Sequence, residues 1–230
     1  TSFAIDKNIC LQGNSFINRN KIFIVNEKKP FSGKDVCFYE SGNIKYEKNY
    51  IGGKKHGTET FWYDKIGFRK SILNFSNGIK QGIYQTWNDN GVLTSQVFFK
   101  DDLMEGVRLT WHQEYGEKKS EHIYVKDKKN GKFIRWFKNG KVESKGEFLN
   151  DLPNKKWFTW YENGKKKAEG EFDQNIPNGT HFGWHKNGSK KMQVKYIEGI
   201  LNGEYIIWDD KGKILKDLLF KDGKCINCKE

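Results

Sequence analysis

The sequence predicts an all-β protein: an elongated, single-layer antiparallel meander of about eight tandem β-hairpins, twisted or curved, with no hydrophobic sandwich. Three observations carry this reading. The 230-residue chain resembles itself at a fixed spacing of 24 or 25 residues. Seven of its eight tryptophans fall into a single slot of that repeat. Glycine recurs twice per repeat and interrupts any apolar pattern with helical spacing.

The repeats open at Gly33, Gly57, Gly82, Gly106, Gly131, Lys155, Gly179 and Gly203, and only Lys155 breaks the glycine rule. Five residues into each comes a large ring: Phe38, Trp62, Trp87, Trp111, Trp136, Trp160, Trp184 and Trp208. A second glycine follows, at Gly42, Gly67, Gly91, Gly116, Gly140, Gly164, Gly188 and Gly212. Eight residues later stands another ring: Tyr50, Phe75, Phe99, Tyr124, Phe148, Phe172, Tyr196 and Phe220. Each repeat therefore reads as strand, turn, strand, turn. Asn90-Gly91, Asn139-Gly140, Asn163-Gly164 and Asn187-Gly188 suit two-residue hairpin turns with two positive φ values. The Asp-, Asn- and Pro-bearing stretches, such as Asp173 to Gly179, read as longer loops back to the next hairpin. Sixteen strands at ~4.8 Å make a ribbon on the order of 75 Å, and a sheet that long has to twist.

The array spans residues 33–220. Residues 1–32 are expected to cap its first repeat, with an irregular strand at Ile22, Phe23, Ile24 and Val25, and residues 221–230 form a tail with a Cys-x-x-Cys pair. Ends need caps because each hairpin buries its rings only against its neighbours. The cysteines, Cys10, Cys37, Cys225 and Cys228, sit at the two ends. Disulfides at each end and free thiols are both open. The terminal cysteines and the start at Thr1 lean toward a compartment outside the cytoplasm.

Hydrophobic residues make up 36% of the chain and aromatics 15%, which suits a thin sheet covered by large rings. A net charge of +12 favours acidic proteins or anionic lipid, and its dispersal in short lysine groups argues against a nucleic-acid-binding arm. No apolar stretch approaches the ~20 residues of a membrane-crossing helix.

The unit Gly-x4-Trp-x3-Gly-x7-(Phe/Tyr), over roughly residues 31–224, resembles the bacterial variant of the MORN repeat found in YwqK-type antitoxin proteins. The resemblance implies a curved single-layer sheet and a role in protein–protein interaction, sometimes with phospholipid contact. It carries no site residues over, because the shared positions are structural. Richness in Lys, Asn, Ile and Phe agrees with a bacterial source.

Period-2 counting assigns faces. It puts the Phe38/Trp62/Trp87/Trp111/Trp136/Trp160/Trp184/Trp208 slot on the structural face, together with the second-strand rings. Each such ring is expected to contribute ~2–3 kcal/mol. The other face carries an aromatic ladder with interleaved basic residues, and Tyr84, Arg108, Phe133, Arg135, Phe137, Trp157 and Tyr161 are its candidate partner-binding residues.

No catalytic constellation emerges. Cys225 and Cys228 lack a second metal half-site, and His181 and His185 would lie ~13 Å apart on a strand. No metal, no cofactor and no enzymatic activity is expected. The expected function is a non-catalytic interaction module, in particular an antitoxin or immunity protein that binds a toxin or other acidic protein. The alternative is a cell-envelope or membrane-associated scaffold on anionic lipid or an acidic protein.

Overall fold

The computed structural model describes residues 8–65, 67–114 and 116–228. Residues 1–7 of the expected cap and 229–230 of the expected tail lie outside them. The chain divides into two compact units, Thr1–Gly116 and Glu117–Glu230. All regular structure among the described residues is β.

The first unit contains β1 (Asn8–Ile9), β2 (Ser15–Asn18), β3 (Lys21–Ile24), β4 (Gly33–Phe38), β5 (Ile44–Ile51), β6 (Lys54–Trp62), β7 (Arg69–Ser76), β8 (Ile79–Trp87), β9 (Leu93–Lys100) and β10 (Leu103–Trp111). Strands β4 to β10 form an antiparallel meander, each paired with the next. Strand β1 pairs parallel to β4 and covers that edge, while β2 and β3 form a separate hairpin. The irregular strand expected at Ile22–Val25 is thus one arm of a regular hairpin.

The second unit contains β11 (Lys118–Val125), β12 (Lys128–Trp136), β13 (Val142–Leu149), β14 (Leu152–Trp160), β15 (Lys166–Asp173), β16 (Ile176–Trp184), β17 (Lys190–Ile197), β18 (Ile200–Trp208), β19 (Ile214–Lys221) and β20 (Lys224–Cys225). Each again pairs antiparallel with its successor.

The two kinds of turn are the reverse of the expectation. The tight two-residue turns are the connections between repeats. Asn150 and Asp151 (φ 50° and 70°) join Leu149 to Leu152, and Gln174 and Asn175 (φ 46° and 74°) join Asp173 to Ile176. Both central residues are left-handed, which Asn and Asp tolerate and which matches strand twist. The Asn-Gly turns are three-residue loops in which only the glycine is left-handed. The Phe137 amide donates to the Lys141 carbonyl and Gly140 to Phe137. Asparagine is used there for its side chain: Asn139 Oδ1 accepts from the Lys141 amide and Nδ2 donates to the Glu162 carbonyl in the next repeat.

A second correction concerns the faces. Each long strand that opens a repeat is bulged. In β14 the register shifts between Lys145↔Phe158 and Glu147↔Asn154, and again between Thr159↔Ala168 and Trp160↔Lys166. Between the first two pairs β14 holds two more residues than β13, and between the last two β15 holds one more than β14, which breaks the alternation along the second strand. In consequence the second-strand rings share a face with the position two residues after the repeat start, away from the tryptophans. Phe148 lies 5.6 Å from Phe133 and 5.0 Å from Trp157. This is the denser face, and it buries Tyr50, Phe75, Val97, Tyr124, Phe133 and Val194.

The tryptophan slot is less buried than expected. Phe38 is 57% exposed. Trp62, Trp87, Trp111, Trp136, Trp160, Trp184 and Trp208 are only partly buried. Lysine stems lie over several of them, with the Lys166 ammonium 5.1 Å from the Trp184 ring and Lys190 5.6 Å from Trp208.

Glycine inside a strand marks close approach. Gly146 faces the Trp157 indole and Gly170 the His181 imidazole, so closely that a Cβ at either position would run into the ring.

At the first unit's end, Leu11, Phe31 and Tyr50 form a small core with Ile9, Ile22 and Ile24 packed against it. Disulfides join Cys10 to Cys37 and Cys225 to Cys228. Closing the 27-residue separation between Cys10 and Cys37 contributes roughly 3–4 kcal/mol in the chain-entropy view. Asp35 is buried beside the Cys10–Cys37 disulfide and accepts the Leu11 amide at 3.0 Å. Burial pushes its carboxyl above the ordinary carboxylate range, against the opposing pulls of the Leu11 N–H and the Lys48 ammonium. Burial likewise lowers the Lys48 ammonium.

Two outcomes follow for stability. Gly146→Ala should destabilise the second unit by about 1–3 kcal/mol through overpacking on Trp157, read from denaturant midpoints. The raised Asp35 carboxyl binds its proton more tightly in the folded chain, so its contribution is present at low pH and is lost as pH rises through the raised value. Asp35→Asn keeps an oxygen for the Leu11 amide and removes that titration. Its unfolding midpoint should therefore vary less with pH on the acidic side than that of the wild type, and parallel profiles would contradict this.

Candidate functional site

The structure places the sequence-derived candidates mainly in structural roles. Phe133 is 5% exposed, packed between Trp157 at 5.4 Å and His122 at 4.6 Å, so it belongs to the core, although it also borders the groove described below. Trp157 donates its indole N–H to the Glu147 carbonyl at 3.1 Å. The exposed Arg135 lies 6.0 Å from the Phe133 ring. Phe133, Arg135 and Trp157 thus come together on the dense face of the second unit. In the first unit, Tyr84 packs against Phe99 at 6.1 Å, and Arg108 is partly buried.

Tyr161 is a rung between repeats: its hydroxyl donates to the Trp184 carbonyl at 2.8 Å. Tyr39 does the same to Trp62, and Tyr63 to Trp87. His185 Nε2 lies 3.0 Å from the Trp208 carbonyl. Phe137 holds the same slot without a polar tip.

The face that carries the tryptophans is the more open one, and a groove of the second unit lies there. Its volume is about 610 Å³. Ile134 and Phe158 contribute apolar surface; Lys132, Lys145, Lys155 and Lys156 supply positive charge; Glu147 and Glu171 supply negative charge. A second hollow of about 310 Å³ shares Lys156, Phe158 and Glu171 and continues toward Phe182.

Strand pairing explains the arrangement. Ile134 opposes Lys145, which opposes Phe158, which opposes Glu169, which opposes Phe182. One row across five strands therefore alternates apolar and charged residues. The Lys145 ammonium sits 5.2 Å from the Phe158 ring and 5.5 Å from Trp160.

Lys155 stands apart. It holds the repeat-start slot at φ 58°, in the left-handed region that glycine occupies in the other repeats, and its ammonium meets Glu147 at 2.7 Å. The lapse in the glycine rule was the one sequence signal that pointed here. The groove's other residues carried none, because counting across the bulges put them on the face read as core.

At the first unit's end the sulfurs of Cys10 and Cys37 and a carboxylate oxygen of Asp35 lie within 4.8 Å of one another, but the sulfurs are joined in a disulfide and offer no thiolate to a metal ion.

Successive bulged hairpins, hydrogen-bonded turn to turn, define a tandem β-hairpin repeat protein. Residues 36–51, 80–101, 129–150 and 153–174 match the MORN repeat variant, and the last three stretches each take in the two strands of one hairpin: β8–β9, β12–β13 and β14–β15. In these four stretches the chain carries repeats of the MORN kind, and such repeats commonly mediate contacts with proteins or membrane lipids. No curated protein matches the chain.

The rung slot gives a paired expectation. Tyr161→Phe should cost about 1 kcal/mol by stripping the Trp184 carbonyl of its donor. Phe137→Tyr should stabilise by a similar amount, about 1 kcal/mol, by supplying a hydroxyl toward Trp160. Both are read from denaturant unfolding.

Proposed function

We propose that this protein is a non-catalytic interaction module of the antitoxin or immunity type, which binds a partner toxin and blocks it. The observation that carries the reading is the open face of the second unit. There a groove of about 610 Å³ combines apolar surface with four lysines and two glutamates. A broad hollow of this chemistry suits recognition of a protein surface, with apolar anchors for affinity and charges for orientation. The dispersed net charge of +12 would draw an acidic partner toward it.

A second reading is an envelope-associated scaffold on lipid. What favours it is a set of exposed aliphatic residues beside the inter-repeat turns: Ile79 and Leu103 in the first unit, Leu152, Ile176 and Ile200 in the second. Acidic turn residues such as Asp101, Asp102 and Asp151 weigh against anionic lipid at that edge.

The test is a pull-down from lysate of the source organism, eluted with a salt gradient and read by mass spectrometry. One protein should remain bound at high salt, and its toxicity on expression should be relieved by co-expression of this chain. Mixed lipid or many proteins released at low salt would put the scaffold reading ahead.

A further inference from the structure

We propose that the groove of the second unit docks an extended acidic segment of a protein partner, with apolar anchors about three residues apart, and that Lys155 is retained for this contact. The inference rests on the interaction reading above and names the surface and partner chemistry.

Lys155 is costly where it stands. A side chain at φ 58° is less stable than glycine by roughly 1 kcal/mol. Its ion pair with Glu147 offers little in return, because the Lys155 side chain is 66% exposed and water screens the pair. Other left-handed residues such as Lys126 and Glu198 sit in turns that this conformation closes, whereas Lys155 stands inside a strand, where such strain points to a role outside folding.

The groove states what that role is. Its lysines outnumber its glutamates four to two, which calls for an acidic occupant. The glutamates interspersed among them repel a dense row of phosphates, as on a lipid surface or a nucleic acid, while a peptide can place a neutral or apolar residue opposite each one. The row Ile134, Lys145, Phe158, Glu169 and Phe182 presents apolar side chains on alternate strands. Strands ~4.8 Å apart put these apolar positions ~10 Å from one another, close to one turn of an extended polyproline-II segment, which rises ~3.1 Å per residue and returns every third side chain to the same face. A segment crossing the strands with an apolar residue at every third position and acidic residues between them matches the row in both spacing and charge.

The test uses the full chain and a fluorescein-labelled synthetic peptide with Phe at every third position and Glu between, followed by fluorescence anisotropy. The controls are the same peptide with Lys for Glu and vesicles containing phosphatidylserine. The acidic peptide should bind the wild type, bind about tenfold more weakly to Lys155→Gly, and about a hundredfold more weakly to the Lys132→Glu/Lys156→Glu double variant. Lys155→Gly relieves strain, so it should melt no lower than the wild type, which separates lost binding from lost fold. Equal binding by all three proteins, equal binding of the Lys peptide, or binding of vesicles but not of the acidic peptide would overturn the proposal. So would a partner that the double variant retains at high salt as well as the wild type does, although the interaction reading itself would then stand. If the wild type retains no protein at all, both fall.

Discussion

Each repeat depends on one constraint: a strand that contains an extra residue cannot keep both its side-chain alternation and its partner's register. The strand that opens the repeat at Lys155 meets two register shifts, one against β13 at the repeat start and one against β15 at the tryptophan. The first falls at a left-handed residue, Lys155 here and glycine in the six other repeats that show it. The second falls at the slot where, in other repeats, the tryptophan carbonyl accepts a hydrogen bond from the preceding repeat, through Tyr39, Tyr63, Tyr161 or His185. At the other end of the hairpin, turn amides reach back in the same way, Asn175 to the Pro153 carbonyl and Gly199 to Pro177. Bulges bend strands locally, and within each unit these bonds fasten one hairpin to the next at both margins.

Most of the fold was legible in the sequence because glycine and aromatic slots depend on local backbone geometry. A turn that needs positive φ restricts its residues wherever it occurs, and eight copies make the restriction conspicuous. The end placement of the cysteines was equally plain, although their pairing was not. Faces were illegible for a specific reason. Counting by twos from Trp136 to Phe148 crosses a bulge and a loop, and one uncounted residue moves every later side chain to the other side of the sheet. Phe133 and Trp157 were therefore assigned to solvent, while Ile134 and Phe158, which border the open groove, were assigned to the core. The Asn-Gly pairs misled in a similar way. Their composition suits two turn types, and only the backbone shows that Asn139 acts through its amide group rather than its φ.

The two faces differ in what holds them. The dense face holds rings in diagonal contact and glycines that make room for them, so its sequence is constrained by volume. The open face is held together mainly by lysine stems laid along half-buried tryptophans. Such stems are mobile at their charged ends, so this surface can change its charge pattern without disturbing the strands beneath. Lys132, Lys145 and Lys156 project from positions where strand pairing is made entirely by backbone. The charge pattern of this face can therefore be altered residue by residue while the backbone ladder stays the same.

The turns between repeats have a consequence for how such a chain acquires and loses length. The pairs Asn150-Asp151 and Gln174-Asn175 share a conformation, and each links strands in the same register. A cut at one can be rejoined at the other with no change of geometry, so the stretch between them is a removable cassette. Duplication or loss of such a cassette keeps every strand paired and every ring on its own side. It alters only how many rows the open groove contains. In a lineage under pressure from changing partners, copy number is then as accessible a variable as point substitution, because the reading frame of the sheet coincides with the reading frame of the repeat.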